Sequence, residues 1–208
     1  MQQKNRINEY VQWAVNIADD NTHGYSQAVR WAPDYDCSSF VISALEAAGI
    51  PMKAYGATYT GNMPAALKAC GFVNVFSAVN IATGEGLKYG DILLNPVTHT
   101  EIYMGDYTVG AHCSETGGKY GKTGDQTGNE ISIQKYKNKN YTQVWRYTGE
   151  DKKEDALYVN YRDIAMKVIR GDYGNGQQRI IKLINSGYNT AQINEIQQTV
   201  NLILKQGV

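Results

Sequence analysis

The sequence is poor in the features that most readily declare a function. Lysine plus arginine equals aspartate plus glutamate at 20 each, so the formal net charge is zero. No strong field therefore recruits nucleic acid or an anionic membrane surface, and neither is an expected partner. The three cysteines are odd in number and at no metal-like spacing, which argues against a disulfide framework or a zinc site. No apolar run approaches the roughly 20 residues that cross a bilayer. The first residues, Met1 to Arg6, lead into an amphipathic pattern and not the apolar core of a signal peptide, so a chain made in the cytoplasm without a leader is expected. Phenylalanine is scarce, at 3, whereas tyrosine is abundant, at 16. Tyrosine supplies flat faces with a hydroxyl, suited to sugar and peptide surfaces and equally to strands.

What is present is organised around Tyr35-Asp36-Cys37-Ser38-Ser39-Phe40-Val41. Asp36 is a good helix N-cap, and the apolar run through Leu45 ends at Gly49-Ile50-Pro51. Cys37 thus falls in the first turn of a buried helix, where free N–H groups and the helix dipole favour a thiolate. Before it, Ile7, Tyr10, Val11, Ala14 and Ala18 share one face of a first helix reaching about Asp20. The oxygen-rich turn Asp19-Asp20-Asn21 lacks an EF-hand spacing and reads as a solvated loop. Asn62 to Gly71 reads as a short helix with an asparagine cap, in which Cys70 is an inert core residue. Strands follow at 72–76, 91–94, 99–104, 107–112, 130–133 and 143–147, with Gly105-Asp106 as a hairpin turn. Gly121-Lys122-Thr123 is not a phosphate loop, because its leading glycine is one residue too close and no helix follows. Helices first and an antiparallel sheet after make the fold class α+β.

Residues 148–155 are charged and apolar-free, and a linker of residues 148–156 separates a domain of residues 1–147 from a second of residues 157–208. In the second, Ile164, Ala165, Val168 and Ile169 form one helical face, a helix through Ile180 and Leu183 stops at Gly187, and the last carries Ile193, Ile196, Val200 and Ile203. These are three short helices in a small bundle.

A cysteine nucleophile needs a partner that exchanges a proton near neutral pH, and there are three histidines. His23 sits in a loop, where a solvated or bracing role is the default. His99 opens one predicted strand and His112 closes the next, so the Gly105-Asp106 hairpin brings them together, one as base and the other as its orienter.

These blocks, Tyr-Asp-Cys-Ser-Ser-Phe-Val, Gly90-Asp91-Ile92-Leu93-Leu94 and His99-Thr-Glu-Ile-Tyr-Met-Gly, resemble the NlpC-type papain-like peptidoglycan hydrolases, within them the endolysin branch of bacteriophages. The resemblance implies a papain-like catalytic domain with Cys37 as nucleophile, His99 as general base and His112 as the residue orienting His99. It also implies Tyr25 as an oxyanion-side hydroxyl and Asp36 as a structural residue. Ser39 stands where the family usually has glycine, and Cys113 follows His112. The implied reaction cuts the amide between D-glutamyl or D-isoglutaminyl and the diamino acid of the stem peptide, or alternatively between N-acetylmuramic acid and L-alanine. It requires no metal or cofactor. Further on, Gly171-Asp172-Tyr173-Gly174-Asn175-Gly176-Gln177-Gln178-Arg179, with Leu183 and Gly187-Tyr188, resembles the Cpl-seven cell-wall-binding repeat. That implies a muropeptide contact through Tyr173, Arg179 and Tyr188, with Gly174, Asn175 and Gly176 serving to shape the turn. Peptidoglycan is the implied partner and the cell wall the implied place of action. A wall-binding protein without activity is the reading from another class.

Overall fold

The computed structural model describes residues 6–149, 161–188 and 190–205. The chain divides into two compact units, residues 1–155 and 156–208. Most of the expected linker, residues 150–156, lies outside the described residues. Its first residue, Thr148, is tied back to the first unit through its N–H and hydroxyl, both 2.9 Å from the Gly71 carbonyl.

The first unit begins with helix α1 (Arg6–Ala18), α2 (Cys37–Ala47) and α3 (Met63–Ala69). Strands β1 (Phe72–Asn74), β2 (Ile92–Asn95), β3 (His99–Tyr103), β4 (Tyr107–Ala111), β5 (Ile131–Lys135) and β6 (Gln143–Tyr147) follow. They form one antiparallel sheet in the order β1-β6-β2-β3-β4-β5. The α+β architecture is as the sequence predicts, with β1 shorter than expected because Phe76–Ala78 turns into a 3-10 helix.

Strand alternation gives the sheet two unlike faces. Ile92, Leu94, Ile102, Val109 and Ala111 are fully buried on one face, and α2 packs against β3 and β4 while α1 packs against β4 and β5. On the other, Leu93, Tyr103 and Val144 gather with Tyr141 into a second small core. Leu93 pairs with Glu101 across β2 and β3, so Glu101 and His99 share that second face. The Gly105-Asp106 hairpin forms as expected, with the Met104 N–H donating to the Tyr107 carbonyl at 2.7 Å and Gly105 at φ 87°, a conformation that suits glycine.

The second unit comprises α4 (Tyr161–Ile169), α5 (Gly176–Asn185) and α6 (Thr190–Lys205). Ala165, Val168, Leu183, Ile196, Val200 and Ile203 form its core, with Ile164, Ile169, Tyr173 and Tyr188 packed at its margin. Gly174 and Gly176 adopt φ 70° and 53°, so the turn into α5 depends on glycine, as its spacing suggests. Among the described residues no helix is long and apolar enough to cross a membrane.

Candidate active site

The first turn of α2 is set by Asp36. Its Oδ1 accepts the Ser39 N–H at 2.7 Å, and the Asp36 N–H donates to the Ser39 hydroxyl at 2.9 Å. This reciprocal box satisfies donors that a helix N-terminus leaves open. It also gives Ser39, the unusual residue of the motif, a structural reason. Arg30 clamps the cap, with its Nε 2.8 Å from Asp36 Oδ2 and its Nη2 donating to the Ser38 hydroxyl at 2.8 Å and the Thr58 carbonyl at 2.6 Å. Asp36 is thus fully occupied in fixing the helix that carries Cys37.

Cys37 is 7% exposed, and the backbone N–H groups of Thr100 and Ser38 draw its thiol toward ionisation. The part played by Thr100 is explained by the sheet. Tyr103 donates its N–H toward the β2 side, to the Asp91 carbonyl. By alternation along the strand, Thr100 therefore points its N–H toward β4. The β3–β4 ladder, however, holds only the pairs Ile102–Val109 and Tyr103–Thr108. Beyond them the ladder stops, and the Thr100 N–H is left to act on the Cys37 sulfur. Thr100 follows His99, the first residue of β3, and His112 follows Ala111, the last residue of β4.

The amides at the α2 N-terminus favour a thiolate, and burial works against them. Burial first, and the Asp36 charge second, push the Cys37 thiol up to about 11 against the pull of the two amides and Arg30. Tyr25, 5% exposed, is close enough for the Cys37 and Cys113 charges to act on its phenol. Burial above all pushes Tyr25 up to about 12, so its hydroxyl stays protonated and able to donate. Gln27 Nε2 donates to that hydroxyl at 3.1 Å, and the Tyr25 N–H is held by Glu130 Oε2 at 3.0 Å.

The two histidines are brought together, with ring centroids 6.0 Å apart, but a residue the sequence reading passed over stands between them. Glu101 is 0% exposed. Its Oε1 lies 3.0 Å from His99 Nε2 and 3.1 Å from His112 Nδ1, and accepts from Lys139 Nζ at 2.6 Å. Its Oε2 accepts from the Tyr141 hydroxyl at 2.5 Å. Burial acts to raise the Glu101 carboxyl, but the His112 and His99 imidazoles beside it outweigh burial and hold the group well below the usual carboxylate range. The contact to His99 is well directed; that from His112 Nδ1 lies off the hydrogen-bond line. His112 Nε2 meets the Ser132 carbonyl at 3.3 Å. Opposite Glu101 on β4 stands Gly110, where a Cβ would come within 2.8 Å of Glu101 Cγ. Glycine makes room for the carboxylate.

His99 and Glu101 are two residues apart on a strand and so share a face, a signal present in the sequence. His99, Glu101 and His112 also offer nitrogen and oxygen atoms all within 4.8 Å of one another, a set that could hold a metal ion. Among the described residues His99 Nδ1 takes no hydrogen bond. His23 braces its loop, with Nδ1 2.5 Å from the Pro33 carbonyl. Cys70 caps the end of α3, half-buried and not in the core, and Cys113 is exposed. Asn62 precedes α3 without capping it by its side chain. Its Oδ1 accepts instead from the N–H groups of Thr58 and Tyr59, bracing the preceding loop.

In the second unit, Tyr173 and Tyr188 lie close enough for their phenols to interact. Arg179 is committed internally: Nε donates to the Gly174 carbonyl at 3.2 Å, Nη1 to Gln197 Oε1 at 2.9 Å and Nη2 to Asn175 Oδ1 at 3.3 Å. It fastens the glycine turn to α6.

Residues 29–108 match the family described as Endolysin-like domain, and residues 162–204 match the CW_7 repeat. The first match takes in Cys37, His99 and Glu101; the second takes in Tyr173, Arg179 and Tyr188. No curated protein matches the chain. The chain therefore carries an endolysin-like domain and a cell-wall-binding repeat, the combination of a protein that acts on peptidoglycan.

Proposed function

We propose that this protein is a cysteine peptidoglycan hydrolase of the NlpC type, cutting an amide of the stem peptide between D-glutamyl or D-isoglutaminyl and the diamino acid. The observation that supports the reading is that the Thr100 N–H acts electrostatically on the Cys37 sulfur, one residue along β3 from an imidazole that Glu101 anchors at 3.0 Å.

With Nε2 of His99 engaged by Glu101, Nδ1 is the nitrogen left to exchange the thiol proton. The Cys37 thiol gives its proton to Nδ1 as the sulfur attacks the amide carbonyl, a concerted start suited to a sulfur that rests as a thiol. The carbonyl oxygen gains the negative charge and is met by the Cys37 backbone N–H and the Tyr25 hydroxyl. Protonated His99 passes its proton to the leaving amine, the C–N bond breaks, and a thioester to Cys37 remains. His99 then takes a proton from water, the hydroxide adds to the thioester, and the carboxylate departs as the thiol is restored. Glu101 fixes the His99 ring and offsets the imidazolium charge while it lasts, as a buried carboxylate does in a serine-type triad. Lys139 and Tyr141 satisfy the carboxylate between turnovers, which matters because an unpaired buried charge is costly. Residues 157–208 act as a tether, raising the local concentration of the catalytic unit on an immobile polymer.

Digestion of purified peptidoglycan followed by mass spectrometry tests the bond. A new free amino group on the diamino acid supports the reading; a freed L-alanine amino terminus assigns the amidase reaction instead.

A further inference from the structure

We infer that His99, Glu101 and His112 form a binding site for a zinc-like divalent transition-metal ion, whose arrival takes the His99 imidazole out of use and switches hydrolysis off. The inhibitory part rests on the thiol mechanism above; the binding part does not.

The set has the right chemistry. Two imidazoles and one carboxylate favour zinc and its neighbours over calcium or magnesium, which prefer oxygen ligands alone. Ligand bonds of about 2.0–2.2 Å place neighbouring donors of a tetrahedral site roughly 3.3 Å apart. The Glu101 Oε1 distances of 3.0 Å to His99 Nε2 and 3.1 Å to His112 Nδ1 are already close to two such edges. His112 adds an independent indication. Its side chain is nine-tenths buried, at 10% exposure, and its Nδ1 is shut off from solvent without a well-directed hydrogen bond, aimed into the cluster.

One group competes. Lys139 Nζ occupies the same oxygen at 2.6 Å, also reaching Gln134 Oε1 at 3.2 Å, and its side chain is 30% exposed. It is the movable member, able to swing outward and leave a coordination position to the ion and a water. The ligands bind as neutral imidazoles and a carboxylate, and any proton on the rings is released to solvent. His99 bound through Nε2 carries a cation beside it, which lowers the basicity of Nδ1 and its fitness to take the thiol proton.

The test is calorimetric titration of the full chain carrying Cys37→Ser with zinc chloride alone in a non-chelating buffer, so that the thiol cannot contribute. One ion per chain is expected, with binding weakened about tenfold or more by His112→Ala or by Glu101→Gln. Lys139→Met, which leaves every ligand in place, is expected to tighten it. Absence of binding at millimolar zinc, or affinity indifferent to all three substitutions, overturns the site. In parallel, wall hydrolysis by the unsubstituted protein should fall as zinc binds and return on chelation. Hydrolysis that rises with zinc in the Cys37→Ser protein overturns both the inhibitory role and the thiol mechanism. Loss of hydrolysis in Cys37→Ser together with no zinc binding overturns this inference alone and leaves the hydrolase reading standing.

Discussion

Glu101 and His99 lie on the same face of one strand, and the carboxylate oxygen of the first sits 3.0 Å from Nε2 of the second. By this contact a wholly buried acid fixes the imidazole ring and leaves Nδ1, the nitrogen proposed as the base, free of it. Glu101→Gln keeps the shape but loses the charge and permits the opposite tautomer. A fall in kcat of about 10²- to 10⁴-fold with little change in KM is expected. Kinetics on a soluble muropeptide measure this split, and ring-nitrogen NMR of His99 should show the altered tautomer.

Gly110 exists to admit that carboxylate. Because a Cβ there would come within 2.8 Å of Glu101 Cγ, Gly110→Ala should cost roughly 1–3 kcal/mol, the range for overpacking. The cost should shrink when Glu101 is also shortened to alanine, since the two are in contact. Thermal unfolding of the two single variants and the double variant gives the coupling.

Burial holds the Cys37 thiol up at about 11. Its alkylation by iodoacetamide should therefore rise about tenfold per pH unit through neutrality and level only near the folded pKa, because the thiolate is the reacting form. A thiol raised in this way contributes stability that is intact below its ordinary value near 9 and is lost as pH climbs through about 11. A reactivity plateau already reached at pH 6 would instead mean a preformed thiolate–imidazolium pair.

Arg179 makes three contacts within its own unit, one of them across to α6. Arg179→Ala should thus destabilise the helical unit by roughly 1.5–3 kcal/mol, the range for hydrogen bonds of a charged group, and the helical signal should melt at a lower temperature. A variant that loses wall binding in pull-down at unchanged stability would make Arg179 a ligand contact instead.

Much of the fold is written in local pattern. The alternation of 99–103 and 107–111, the two-residue hairpin between them and the cap at Asp36 all follow from spacing, and so does the shared face of His99 and Glu101. What holds Glu101 is not local. Lys139 and Tyr141 come from a loop 38 and 40 residues further on, and no periodicity links them to β3. Residues 124–130 are equally silent in sequence. Their order comes from Asp125, whose carboxylate accepts the N–H groups of Thr127, Gly128, Glu130 and Ile131. At Cys37 a helix dipole can be counted from sequence, whereas the depth of burial that opposes it cannot.

The most direct measurement is digestion of purified peptidoglycan by the full chain with Cys37→Ser, read by mass spectrometry of the released peptides beside the unsubstituted protein. The account predicts that a single type of stem-peptide amide is opened by the unsubstituted protein and none by the variant, with folding and wall binding retained. Release of the same peptides at an undiminished rate by Cys37→Ser would contradict it.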